Sequence, residues 1–159
     1  LGALVEDRVR KACSVILSRD PVLTREIIGS DWEIYDMEIR VEEECLKVLA
    51  LHQPVARDLR LIVAIIKINN ELERIADIAV NIAKRIQTIH KDSDIEFTID
   101  YHPMSTKVLG MLKMSLDALV MENADFARKI FLLDDEVDSF RNHVYRAIVR
   151  ELNVDNSHA

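Results

Sequence analysis

The chain predicts an all-α fold on three observations. Glycine and proline each occur three times among 159 residues, and aromatic residues make up 5%, which leaves too few turn formers and sheet-favouring rings for a β architecture. Hydrophobic residues make up 49%, enough apolar surface for the core of one compact unit or of two small bundles. They recur with the helical period of about 3.6 over long stretches.

The first helix is expected over 2–18, where Leu4, Val9, Ala12, Cys13, Ile16 and Leu17 keep that period. It is already under way as the sequence opens, which predicts a natural N-terminus further upstream. Ser-Arg-Asp-Pro at 18–21 interrupts it: Asp20 can cap a new helix, and Pro21 can take its first position, where no backbone donor is needed. The second helix is expected over 21–52, bending near Gly29 to Asp31. A third is expected over 55–90, with Pro54 in its first turn and a length of about 50 Å. Along it Leu61, Ile65, Ile68, Leu72, Ile75, Ala79, Ile82 and Ile86 form the stripe that must pack on other helices, and Glu73 and Asp77 fall on the opposite side. Two more helices are expected over 104–122 and 124–153.

An internal repeat emerges when the chain is matched to itself at an offset of 103 residues without a gap. Val5 then meets Val108, Ile16 meets Leu119, Ile27 meets Ile130, Asp31 meets Asp134, Ile34 meets Val137, Val41 meets Val144 and Leu49 meets Leu152. Identity is low, but the apolar pattern is shared through two helices and the turn between them. The repeat predicts a first three-helix unit over 1–92, a linker over 93–103, and, over 104–159, the first two helices of a second unit that lacks its third. The face of Leu112, Leu116, Leu119, Val137 and Val144 is then expected to lie open. Such a face seldom stays in water, so a second copy of the chain is expected to cover it, giving a homo-oligomer.

The net charge of −7 and pI near 5.2 argue against nucleic-acid binding, which needs clustered lysine and arginine. No apolar run approaches the length of a membrane span, and no secretory signal precedes the first helix. The expectation is a cytoplasmic protein without direct membrane insertion. Cys13 and Cys45 have neither CxxC spacing nor a histidine nearby in sequence, so they read as small buried hydrophobes rather than a zinc or redox pair.

Three charged groups stand out. Glu73 and Asp77 lie one turn apart, with Asn70, Asn81 and Lys84 beside them, although like charges at that spacing repel. They are either a solvated face compensated by Arg74 and Lys84, or hard oxygen ligands whose repulsion a bound cation would reverse. Asp134 and Asp138 repeat the spacing; capping near a helix start explains Asp134 or Asp135 but not Asp138. Their counterparts in the first unit are Asp31 and Tyr35, a weaker pair, with Glu38 and Glu42 further along the same face. The candidate metal ligands are therefore Glu73, Asp77, Asp134, Asp138, Asp31 and Glu38, for divalent or iron ions such as Mg, Mn, Fe or Zn. Arg57 and Arg60 sit in the first turns of a helix, where the dipole disfavours positive charge. They pair with Asp58 or with acids of the preceding helix, or else they recognise an acidic partner; Arg74 joins them as a candidate contact.

Enzyme signatures are mostly missing from the sequence. None of the five histidines completes a Glu-x-x-His pair, and glycine is too scarce for a phosphate-cradling loop. The stretch QPVARDLRLIVAIIKINNELERIADIAVNIAKRI, residues 53–86, resembles the signature helix of the PhoU family, most specifically at 53–83. The resemblance implies two pseudo-symmetric three-helix bundles, which agrees with the offset of 103. It also implies metal clusters on an acidic motif that Glu73 and Asp77 match and that Asp134 and Asp138 approximate, with Tyr35 departing from the polar residue usual there. Further, it implies a negative regulator of phosphate uptake and of the phosphate-starvation response, acting as an adaptor to the transporter ATPase and the phosphate-sensing histidine kinase. The rival expectation is a metal-dependent helical enzyme built on the same carboxylates.

Overall fold

A computed structural model describes residues 1–92 and 99–155. Among these residues the fold is all-α, with six helices: α1 Gly2–Ser18, α2 Pro21–Gly29, α3 Asp31–His52, α4 Ala56–Asp92, α5 His102–Val120 and α6 Ala124–Asp155. The chain divides into two compact units, Leu1–Ile95 and Glu96–Ala159. Residues 93–98 of the expected linker lie outside the described residues, and helix resumes at His102 with Pro103 in its first turn.

In the first unit α4 is the central element, packed against α1, α2 and α3. The turn entering α2 forms as the sequence implies. Arg19 takes the left-handed conformation at φ 52° and donates its N–H to the Val15 carbonyl at 2.8 Å. Asp20 then caps α2, its Oδ1 accepting from Val22 N–H at 2.8 Å and Leu23 N–H at 3.4 Å, with Pro21 next in the chain. These bonds satisfy donors that the first turn would otherwise leave orphaned.

The single helix expected over 21–52 is two helices. Ser30, at φ −97° and ψ 12°, separates α2 from α3, and its hydroxyl donates to the Glu26 carbonyl at 2.8 Å, a back-bond that bends helices. The first unit thus has four helices rather than three. Pro54 also stands outside the helix it was expected to open: Gln53 ends α3 at φ 46°, and α4 starts at Ala56.

The buried lines are rotated from those expected. On α1, Val5, Val9, Ala12 and Val15 are buried while Leu4 and Leu17 are exposed. Among the described residues of α4 the buried ones are Asn69, Leu72, Ala76, Ala79, Val80 and Ala83, a line turned by about 60° toward Glu73. Ile65, Ile68, Ile75, Ile82 and Ile86 are its half-buried flank, and Leu61 is exposed. Alanine marks the places of closest approach because its small side chain lets three helices crowd α4, so the isoleucines are displaced to the margin. Glu73 consequently is not opposite the packed face but on its edge, half-buried, with Asp77 exposed beyond it. Val15, Ile27, Val80 and Ala83 form a fully enclosed cluster, with Leu23, Ile28 and Ile86 against it.

In the second unit α5 and α6 pack as a pair, joined across the pair by a Lys107–Glu136 ion pair. Their turn repeats the α1–α2 turn at the offset of 103. Glu122, the counterpart of Arg19, has φ 49°. Asn123, the counterpart of Asp20, offers its Oδ1 to the N–H groups of Asp125 at 2.9 Å and Phe126 at 3.3 Å. The open face does not fall where the repeat put it: Leu112 is buried, and Leu116, Leu119, Val137 and Val144 are half-buried, because they supply the contact between the two helices. Among the described residues the large apolar side chains left exposed are instead Val120, Met121, Phe131, Leu132, Tyr145 and Val149.

Candidate functional site

Two helices present side chains at one-turn spacing toward a common space. From the first turns of α3 come Asp31 and Tyr35, and from the middle of α4 come Glu73 and Asp77. With Trp32 and Ile34 they line an open pocket of about 220 Å³. Ile34 is the buried floor, whereas the Trp32 and Tyr35 rings are largely exposed. The pocket therefore combines three carboxylates, a phenol and an indole.

Its electrostatics follow from the rotation of α4. Burial pushes the Glu73 carboxyl above its ordinary range, and Asp77, Glu38 and Asp31 add to the rise. Glu38 is held from behind: the Asn69 side-chain amide donates to the Glu38 carbonyl at 2.8 Å and to its Oε1 at 3.2 Å. Asn69 is 2% exposed, and its own Oδ1 is buried without a partner. Asp31 is held by Arg8, whose guanidinium lies 3.5 Å from Asp31 Oδ1 and donates to the Ser30 carbonyl at 2.7 Å.

Of the six expected metal ligands, the structure thus gathers Asp31, Glu38, Glu73 and Asp77 into one electrostatic group. Asp134 and Asp138 belong to α6 of the other unit. They lie mid-helix, not at its start, so capping accounts for neither; the cap is Asn123, and Asp138 pairs with Arg141 at 3.1 Å. The charge compensation expected of Arg74 goes elsewhere, since its guanidinium stands 3.9 Å from Glu71 in an exposed pair. Arg57 and Arg60 are exposed near the start of α4. Asn70, Asn81 and Lys84 are exposed as well.

The donor set around Glu73 is all hard oxygen, the chemistry suited to Mg, Mn or iron. Among the described residues, however, no three His, Cys, Asp or Glu side chains converge closely enough to hold a metal ion. A cation in the pocket would need the carboxylates of α3 and α4 to draw closer together. Cys45 is buried, with its thiol pKa raised chiefly by burial, and Cys13 is half-buried. Among the described residues no helix is long and apolar enough to cross a membrane.

Arg8, Asn69 and Trp32 were not read as parts of the site from the sequence. A signal for the first two was present: Arg8 interrupts the apolar line Val5, Val9, Ala12, and Asn69 interrupts the line between Ile65 and Leu72. A polar residue on a packed face needs a partner, and each has one at the pocket's border.

The sequence pattern of the PhoU domain matches residues 1–86 and 102–159. A Clostridium acetobutylicum protein named phosphate-specific transport system accessory protein PhoU homolog is 32% identical over 158 residues, 99% of this chain and 72% of that protein. The Escherichia coli K12 phosphate-specific transport system accessory protein PhoU is 30% identical over 152 residues, 96% of this chain and 61% of that protein. Among solved structures, PhoU from Pseudomonas aeruginosa superposes with a TM-score of 0.87 at 32% identity, covering 94% of this chain and 72% of that one. The phosphate transport system regulatory protein PhoU from Streptococcus pneumoniae gives 0.85 at 28% identity, covering 93% and 70%. The chain thus spans from about three fifths to under three quarters of the relatives it resembles.

Proposed function

The chain belongs to the PhoU family, and from that premise we propose that it is an accessory regulator of phosphate transport. In finer terms it is a cytoplasmic adaptor that restrains phosphate uptake and the starvation response by contacting the transporter ATPase and the phosphate-sensing histidine kinase. The observation that carries the reading is the likeness in sequence and backbone over both units to proteins named for that role. The pattern of the chain supports it too: it offers long exposed helix faces and an acidic pocket, with Arg57, Arg60 and Arg74 as contacts for acidic partner surfaces.

The same reading assigns a hard cation, divalent or iron, to the pocket of Asp31, Glu73 and Asp77, with Glu38 behind it. A cation there would offset the repulsion that adds to the burial-driven rise of Glu73, and Asp134 with Asp138 are the carboxylate pair of like spacing in the second unit. It also includes self-association through the exposed Phe131, Leu132 and Tyr145, for which a monodisperse monomer in light scattering is the contrary result.

The adaptor role is tested by deleting the gene of the full protein and measuring phosphate-responsive transcription. Derepression in high phosphate is expected, restored by the wild-type gene. Unchanged repression would overturn the reading, and pull-downs with the ATPase and the kinase separate the two contacts.

A further inference from the structure

The first unit interrupts its second helix where the second unit does not. Shifted by 103 residues, α2 and α3 together coincide with the single helix α6, and Ser30 at the break corresponds to Leu133, which lies within α6. The break determines the candidate pocket, because Asp31, Trp32, Ile34 and Tyr35 all belong to the first turns of the helix that restarts there.

What holds the break is visible in the hydrogen bonding. In an uninterrupted helix the Ser30 carbonyl would face the amide four residues ahead. Here it accepts from Glu33 N–H, three residues ahead at 3.1 Å, and from the Arg8 guanidinium at 2.7 Å. Arg8 is 5% exposed, so its charge has to be met inside the unit, and it is met by that carbonyl and by Asp31. The counterpart of Arg8 in the second unit is Met111, which has neither charge nor donor. Gly29 does not force the interruption through a conformation or close approach that only glycine allows: its φ is not positive, and a Cβ added there would meet nothing within 4 Å.

We infer that Arg8 is a positioning residue that keeps α2 and α3 apart by binding the Ser30 carbonyl and Asp31, and so fixes the α3 wall of the pocket against Glu73 and Asp77. The functional weight of this inference rests on the pocket being the site, but the junction itself can be read without cation or partner. A negative cation titration therefore bears on the proposed function alone, and an unchanged junction bears on Arg8 alone.

Trp32 is the single tryptophan of the chain and stands two residues past the break, so its fluorescence reports on the junction. In Arg8→Met, the emission maximum and acrylamide quenching of Trp32 are expected to change. The amides of residues 31–34 are expected to gain several-fold protection against hydrogen exchange as the two helices join. Arg8→Lys, which keeps a cationic donor, is expected to retain the wild-type values, and Gly29→Ala is expected to leave the break in place. The assignment is overturned if Arg8→Met folds with both readouts unchanged, if Arg8→Lys departs from wild type, or if Gly29→Ala joins the helices with Arg8 present. Should Arg8→Met fail to fold by circular dichroism, the Lys and Ala variants decide the matter by the same readouts.

Discussion

The Asn69 side chain of α4 grips Glu38 of α3 twice, donating to its backbone carbonyl at 2.8 Å and to its carboxylate at 3.2 Å. This is the polar tie between the two helices that build the candidate pocket, made at a position buried in an otherwise apolar line. Asn69→Ala is expected to destabilise the protein by about 1–2 kcal/mol, the cost of deleting one partner of a buried hydrogen bond. Chemical denaturation measures it, and a change within a few tenths would mean the tie is not formed in solution.

The rotation of the buried line on α4 makes a second prediction. Ala83 is fully buried among Val15, Ile27 and Val80, whereas Ile82 lies on the half-buried flank. Ala83→Leu is expected to cost about 1–3 kcal/mol through overpacking, and Ile82→Leu distinctly less. The reverse order in thermal or urea unfolding would return Ile82 to the core.

That rotation also marks how far the sequence could be read. Helix existence, the Asp20 cap with Pro21, and the long α4 were legible because each rests on local chemistry that tertiary packing does not overrule. The packed face was misread because a hydrophobic pattern is drawn to the bulkiest residues, here Ile75 and Ile82. Close helix packing instead selects their small neighbours Ala76 and Ala83, one position and about 100° away. The pairing of Asp31 with Glu73 was legible only as a shared acidic character. Their meeting depends on the break at Ser30, which depends in turn on an arginine 22 residues earlier in the chain.

The repeated turns give a paired prediction. Asp20 and Asn123 each accept from the N–H groups two and three residues ahead, so Asp20→Ala and Asn123→Ala are expected to cost about 1 kcal/mol each. The amides of Val22 and Leu23 in one variant, and of Asp125 and Phe126 in the other, should lose hydrogen-exchange protection. Loss in only one variant would show that the two turns are alike in geometry but not in energetics.

Glu73 predicts a pH dependence with a definite sign. Burial, then Asp77, Glu38 and Asp31, raise its pKa in the folded protein, so the folded state holds the proton more readily than the unfolded chain does. Its ionised form therefore detracts from stability at neutral pH, and the penalty disappears as pH falls below the unfolded value of about 4.3. Without added cation, Glu73→Gln is expected to stabilise the protein at neutral pH. Relief of the Asp77 repulsion alone contributes about 0.2–0.5 kcal/mol, and the gain should vanish below about pH 4. A Gln variant that is less stable than wild type at neutral pH would place an unseen favourable contact on the carboxylate.

A cation held in the pocket would change that sign. If Glu73 and Asp77 hold a divalent ion with Asp31, binding must compete with protonation. Because Glu73 keeps its proton to a higher pH than an ordinary carboxylate, affinity should begin to fall at a pH above the ordinary carboxylate range. Calorimetric titration with Mg, Mn and Fe(II) across that range measures it. In saturating cation the wild type should become the more stable protein, so Glu73→Gln, stabilising in its absence, turns destabilising. The double variant Glu73→Gln, Asp77→Asn should bind none of the three ions while keeping the helical circular dichroism of the wild type. Equal binding by the wild type and the double variant would exclude these carboxylates as ligands, leaving the pocket with an unrelieved repulsion that only solvent screens.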